Sequence, residues 1–79
     1  MFVKYLKDEK FIIQFGKKLK KLRENQRISQ EQLALLSGVS QSQIARTELG
    51  LINTSISHVS VYAKSLKVSP MIFFDFSDL

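Results

Sequence analysis

Residues 29–50, SQEQLALLSGVSQSQIARTELG, decide how this chain folds. Ser29-Gln30-Glu31-Gln32 has the S-x-x-Q form of a capping box, in which the serine hydroxyl accepts from a free amide and the glutamine reaches back to the serine. A helix therefore starts there, carrying Leu33, Ala34 and Leu36. It stops at Gly38, which takes the left-handed backbone conformation that helix ends favour. Ser40-Gln41-Ser42-Gln43 repeats the S-x-x-Q pattern, so another helix runs from about Gln41 to Leu49 and ends before Gly50. A break that short is no loose loop, and the two helices must meet at a large angle in one rigid unit.

Working outward, Ile12, Phe15, Leu19 and Leu22 recur at spacings of three and four between about Asp8 and Asn25, with lysines on the other faces. This is an amphipathic helix. Asp8 and Glu9 in its first turn and Arg23 near its end suit the helix dipole. Gly16 sits mid-helix at a cost of roughly 1 kcal/mol relative to alanine, which marks it as a point of close packing. On the other side, Leu51 to Thr54 reads as a connection, and Ser55 caps a fourth helix with Ile56, Val59, Tyr62, Ala63 and Leu66 at helical spacing. Ser69-Pro70 is a cap followed by proline at the first helical position, so a short fifth helix from Pro70 to about Phe74 is expected. The expected fold class is all-α: one compact five-helix domain over residues 1–79, without internal repeats or low-complexity segments.

A chain of 79 residues is enough for one modest core and too short for a second, ligand-sensing domain, so no small-molecule effector is expected. With 44% hydrophobic and 24% charged residues the composition is globular. The absence of cysteine leaves no disulfide or thiolate zinc site to staple so small a fold, and it fits a reducing cytoplasm. The start, MFVKYLKDEK, lacks the long apolar region and cleavage site of a secretory signal and reads as mature sequence. The net charge of +5 is uneven: residues 1–30 hold nine of the twelve Lys and Arg but three of the seven acids. Such a half attracts nucleic acid phosphate or an anionic membrane, or is simply a solvated helix face.

The side chains of the third helix narrow the choice. Ile44 is its apolar anchor, while Gln41, Ser42, Gln43, Ala45 and Arg46 form a face that is polar but short of charge. An ordinary solvated helix usually shows Lys and Glu there. Glutamine pairs with adenine through two groups and arginine with guanine through two, so the face also fits a reader of the DNA major groove.

Over most of its length, from about Ile12 to Phe74, the chain resembles the Cro/repressor-type (XRE-like) helix-turn-helix regulators of phages and bacteria. The matching pieces are Arg23, Ser29-Gln30, Leu33-Ala34, Gly38-Val39-Ser40, Ile44, Glu48-x-Gly50 and Leu66-x-Val68-Ser69, in FGKKLKKLRENQRISQEQLALLSGVSQSQIARTELG and SHVSVYAKSLKVSPMIFF. The resemblance implies a lambda-repressor-like domain of five helices, a homodimer, and a third helix lying in the major groove of double-stranded DNA. Carried over by position, base reading falls on Gln41, Ser42 and Arg46 with Gln43 and Ala45 beside them, and phosphate contacts fall on Gln30, Ser40 and Lys17. Arg23 and Glu48 match a buried ion pair that ties the first helix to the end of the third. The departures are Thr47 at a usually apolar site, Leu49 at a usually polar one, and Leu35 at one often charged.

Met71, Ile72, Phe73, Phe74 and Phe76 exceed what one short helix can bury, which makes Met71, Ile72, Phe74 and Phe76 candidates for a dimer interface. This compact form looks most like the controller proteins of restriction-modification systems, with small phage repressors and toxin-linked antitoxins as competitors. An antitoxin-like reading gives the phenylalanine-rich end to a toxin partner instead. Membrane-surface binding through the first helix conflicts with the need for its apolar face in the core. The first ten residues lie beyond the region of resemblance and leave a dimerisation role, an extra helical turn or disorder open. His58 is a lone histidine in the first turn of the fourth helix, read as a capping or surface residue, and Asp75 and Asp78 have no histidine partner. Neither enzyme chemistry, a metal site nor a cofactor is expected.

Overall fold

The computed structural model describes residues 6–79. Its elements are α1 (Glu9–Asn25), α2 (Gln30–Ser37), α3 (Gln41–Glu48), α4 (Ile56–Leu66) and a 3₁₀ helix (Pro70–Phe74), with no strand among the described residues. The fifth element is thus a 3₁₀ helix. Five residues opened by a proline close through i to i+3 bonds, from the Ile72 amide to the Ser69 carbonyl at 3.1 Å and from the Asp75 amide to the Ile72 carbonyl at 3.3 Å. Residues 1–5, half of the ten-residue N-terminal stretch whose role the sequence left open, lie outside the described residues.

The helix boundaries follow local chemistry. Asp8 stands just outside α1 as its cap, accepting from the Phe11 amide at 3.0 Å. The capping box of α2 is complete: Ser29 Oγ accepts from the Gln32 amide at 3.0 Å, and Gln32 Oε1 accepts from the Ser29 amide at 2.7 Å. Gly38 ends α2 with φ +75°. The expected second box is only half formed, because Ser40 caps the Gln43 amide at 3.1 Å while the Gln43 side chain turns to His58 instead. Leu49 lies one residue past α3 as its C-cap, and its side chain is exposed.

Phe15 and Leu19 of α1, Leu33 of α2, Ile44 of α3, Val59, Tyr62, Ala63 and Leu66 of α4, and Phe73 form one core. Thr47, at a position where the resemblance implied an apolar residue, is 1% exposed. It belongs there because its hydroxyl donates to the Gln43 carbonyl one turn back at 2.7 Å. The Tyr62 hydroxyl is buried beside Thr47 without a hydrogen bond of good geometry among the described residues, and burial pushes its pKa up, outweighing the opposing effect of Thr47. Lys18 departs from the expectation of lysines on open faces: it is 3% exposed, with Nζ 2.8 Å from Asp78 Oδ1. Lys21 joins from 3.2 Å, so the end of the chain is held against α1, and the lysines keep the Asp78 carboxyl below the usual carboxylate range.

Gly16 and Gly50 let α1 and α3 cross closely. A Cβ on Gly16 would run into the Thr47 carbonyl oxygen and stand 3.0 Å from that of Glu48. Gly50 combines φ +76° with a backbone so near α1 that a Cβ would come within 2.7 Å of Ile13 Cγ1. Gly16→Ala would gain up to about 1 kcal/mol of helix propensity. The clash is with backbone and cannot be relieved by a rotamer change, so the expected net result is destabilisation by about 1 to 3 kcal/mol, read from urea denaturation.

Candidate nucleic-acid interface

α3 distributes its side chains in three directions. Ile44, Thr47 and Glu48 are buried, whereas Gln41, Ser42 and Arg46 are exposed, and their side chains make no hydrogen bond with described residues. Ala45 lies half-buried next to them. Three of the sequence's candidate base readers thus share an open face with free polar groups. Gln43, the fourth, is half-buried on the flank of the helix, and its Nε2 lies 2.8 Å from His58 Nε2.

The candidate phosphate contacts separate in the same way. Ser40 and Lys17 are exposed, with Lys17 next to Gly16 at the α1–α3 crossing. The side chain of Gln30 is half-buried and donates to Glu48 Oε1 at 3.0 Å, so its amide head belongs to the interior network. What Gln30 offers outward is its backbone N–H in the first turn of α2, where helical amides have no intrahelical acceptor.

Glu48 is the centre of that network. Arg23 Nε donates to Oε2 at 2.7 Å and Nη2 to Oε1 at 2.9 Å, a two-pronged pair in which both residues are 8% exposed. Arg23 Nη1 donates to the Ile28 carbonyl at 2.8 Å. The hydrogen bonds to Glu48 raise the arginine pKa, outweighing a burial that opposes the charge. One carboxylate therefore receives three donors and joins α1, the start of α2 and the end of α3, while Arg23 ties in the α1–α2 connection.

At the other end of the molecule, Phe73 is buried against Phe15, with ring centroids 5.5 Å apart. Phe74 stacks on Phe11 at 5.8 Å, and Phe76 meets the same ring edge-on at 5.1 Å. The cluster is therefore partly satisfied within the chain. Met71 remains 78% exposed, Phe74 46% and Ile72 37%. Next to them an apolar cleft of about 230 Å³ opens between Phe11, Phe15, Ile56 and Phe74, with Ile56 itself well exposed. Among the described residues no three His, Cys, Asp or Glu side chains gather as a metal site would need, and no helix is long and apolar enough to cross a membrane.

Sequence reasoning missed three participants. Phe11 was left out of the apolar set of α1 although its i, i+4 spacing to Phe15 puts it on the same face, and it is the ring on which Phe74 and Phe76 rest. Asp78 looked like an unpartnered tail residue. His58, read as a capping or surface residue in the first turn of α4, has a partner on α3 that was not visible in any local pattern.

The helix-turn-helix family model HTH_3 matches residues 19–73. Among solved structures, the restriction-modification controller protein C.AhdI from Aeromonas hydrophila is similar at 35% identity and a TM-score of 0.78, covering 80% of this chain and 96% of that one. An HTH_3 family transcriptional regulator from Vibrio cholerae matches at 30% identity and a TM-score of 0.85, covering 90% of this chain and 40% of the larger protein. The hypothetical transcription factor NHTF from Neisseria, at 23% identity and a TM-score of 0.77, shares the fold. Among curated proteins, none matches the chain.

Breaking the Arg23–Glu48 pair leaves one buried charge without its partner. Arg23→Met or Glu48→Leu alone should each cost about 3 to 5 kcal/mol in chemical denaturation, and the double variant should recover most of that loss.

Proposed function

We propose that this chain, which belongs to the helix-turn-helix family, is a transcriptional regulator that binds double-stranded DNA in the cytoplasm by laying α3 in the major groove. The observation that carries this reading is the open face of Gln41, Ser42 and Arg46 on a helix whose opposite side is locked to α1 through Glu48 and Arg23. Side chains without internal partners, on a helix that cannot tilt freely, can pair with base edges at little cost in ordering. Arg46 would read guanine through two donors, and Gln41 would read adenine through one donor and one acceptor. Ser40, Lys17 and the backbone amide of Gln30 would set register on the phosphates.

The reading includes a homodimer on an operator of two half-sites. Recognition helices of a two-fold dimer sit about 34 Å apart, one turn of DNA, and each copy adds its own contacts to one partial site. The exposed side chains of Met71, Ile72 and Phe74 supply the apolar patch for that association, with Phe76 half-buried at its edge. The likeness to C.AhdI favours a restriction-modification controller among the regulators of this family.

Arg46→Ala should weaken operator binding by about 1 to 3 kcal/mol and relax base preference at one position in each half-site. Gel shifts over a salt series read both this and the steep fall in affinity that phosphate contacts impose. Unchanged affinity and preference would remove Arg46 from base recognition. Met71→Lys should shift the dimer to monomer in sedimentation equilibrium while the helical circular dichroism of the chain is retained; a dimer unaffected by the substitution would place the interface elsewhere.

A further inference from the structure

Along α1, Phe11, Phe15, Lys18 and Lys21 follow one another at spacings of three and four, so they share one face of the helix. Residues 74–78 run along that face. The Phe74 ring centroid lies 5.8 Å from that of Phe11 and 5.9 Å from that of Phe15, Phe76 meets Phe11 edge-on, and Asp78 ends the run at Lys18 and Lys21. Asp75 folds the segment locally, its Oδ1 accepting from the Ser77 amide at 3.1 Å and from the Ser77 hydroxyl at 2.7 Å. Lys18 is the anomaly in this arrangement: its side chain is 4% exposed, whereas that of Asp78 is 42% exposed. Among the described residues Asp78 is its one carboxylate partner. A buried ammonium is tolerated only while it is paired. Without Asp78 the lysine must swing out to water, and Phe76, two residues away, loses the anchor that returns it to α1.

Resting on the reading of Met71, Ile72 and Phe74 as a homodimer surface, we propose that residues 75–79 are a strap that makes this surface competent to pair: latched by Asp78 onto Lys18, it holds Phe76 on Phe11 and so fixes the ring that supports Phe74. Phe11 is the shared element, since Phe74 stacks on it and Phe76 meets its edge. With the strap latched, the aromatic side of the surface is already ordered before a second copy arrives. With the strap released, Phe76, Phe11 and Phe74 have to be ordered during association, and that cost is subtracted from the affinity. The latch has one partner buried and the other open to water, so a change at the exposed carboxylate switches a contact that the buried lysine cannot replace.

The test is sedimentation equilibrium of the full chain as wild type, Asp78→Lys, Lys18→Glu and the Lys18→Glu/Asp78→Lys pair. Each single variant should weaken the dimer by roughly tenfold, the effect of one or two side chains left to be ordered on association. The two substitutions move the net charge in opposite directions, so general repulsion between copies cannot produce the same loss in both. The pair keeps the wild-type net charge, restores an ion pair of reversed sense, and should recover the wild-type dimer. Carboxypeptidase trimming of the C-terminal residues should be faster in both single variants and return to the wild-type rate in the pair, while circular dichroism shows that every variant is folded. If trimming accelerates but the dimer is unchanged, or the dimer strength follows net charge alone, or the pair recovers nothing, the strap is overturned while the dimer stands. Trimming at the wild-type rate in both single variants also overturns it, since the latch is then held by something else. If wild type is a monomer throughout, the dimer reading falls and takes the strap with it.

Discussion

The buried carboxylate of Glu48 is the constraint on which the arrangement of helices depends. Removing a carboxylate and a guanidinium from water costs several kcal/mol per ion, and their attraction repays it only when geometry is good and the remaining hydrogen-bonding capacity is filled. Here the two-pronged contact with Arg23 supplies the geometry, while Gln30 and the Ile28 carbonyl fill much of the rest. Replacing such a pair with apolar side chains of similar volume is often neutral for stability, whereas removing one partner is costly. An alternative packing of α3 would leave a charge stranded, so the pair penalises every register but one. Gly16 and Gly50 cooperate by letting the backbones of α1 and α3 come as close as the ion pair requires.

That fixed crossing gives the polar residues of α3 their division of labour. Glu48 and Thr47 satisfy themselves inside, Gln43 is tied sideways to α4, and Gln41, Ser42 and Arg46 are left with unspent hydrogen-bonding capacity. A helix of eight residues is too short to be stable by itself, and its orientation is borrowed from its neighbours. The side chains that would meet DNA are therefore held by residues that would never touch it.

Most of the fold was legible because its signals are local. Ser29 with Gln32, Gly38, Ser55 and the Ser69-Pro70 step each act within one helical turn, and all appear where spacing places them. Gly16 was legible as an anomaly, a helix-weakening residue in an otherwise strong helix, and close packing explains it. The second capping box failed because Gln43 had a competing tertiary partner in His58, 15 residues away, that no window of sequence reveals. Lys18 failed for the same reason at greater range, since its partner Asp78 lies 60 residues on. The Arg23–Glu48 pair is separated by 25 residues and was read only through family resemblance, and the structure supplies its geometry together with the unanticipated role of Gln30. Which of the terminal phenylalanines are buried was beyond composition, because it is decided by contacts with Phe11 and Phe15 near the other end of the chain.

α1 connects the two ends of this argument. Its second half carries Arg23 and thus sets α3, while its first half carries Phe11 and Phe15, on which Phe73, Phe74 and Phe76 rest. Lys18 and Lys21 hold the chain end through Asp78 along the same helix. If two copies associate through Met71, Ile72 and Phe74, the interface and the DNA-reading helix of each copy are then mounted on one continuous helix of 17 residues, with no hinge between them. Two half-sites are read together only when the spacing between recognition helices matches the repeat of the duplex, and a soft connection would spread that spacing and lose the gain from the second site. In such a dimer the aromatic contacts of Phe11 and the ion pair of Arg23 would be two parts of one requirement, which is to transmit position along α1 without slack.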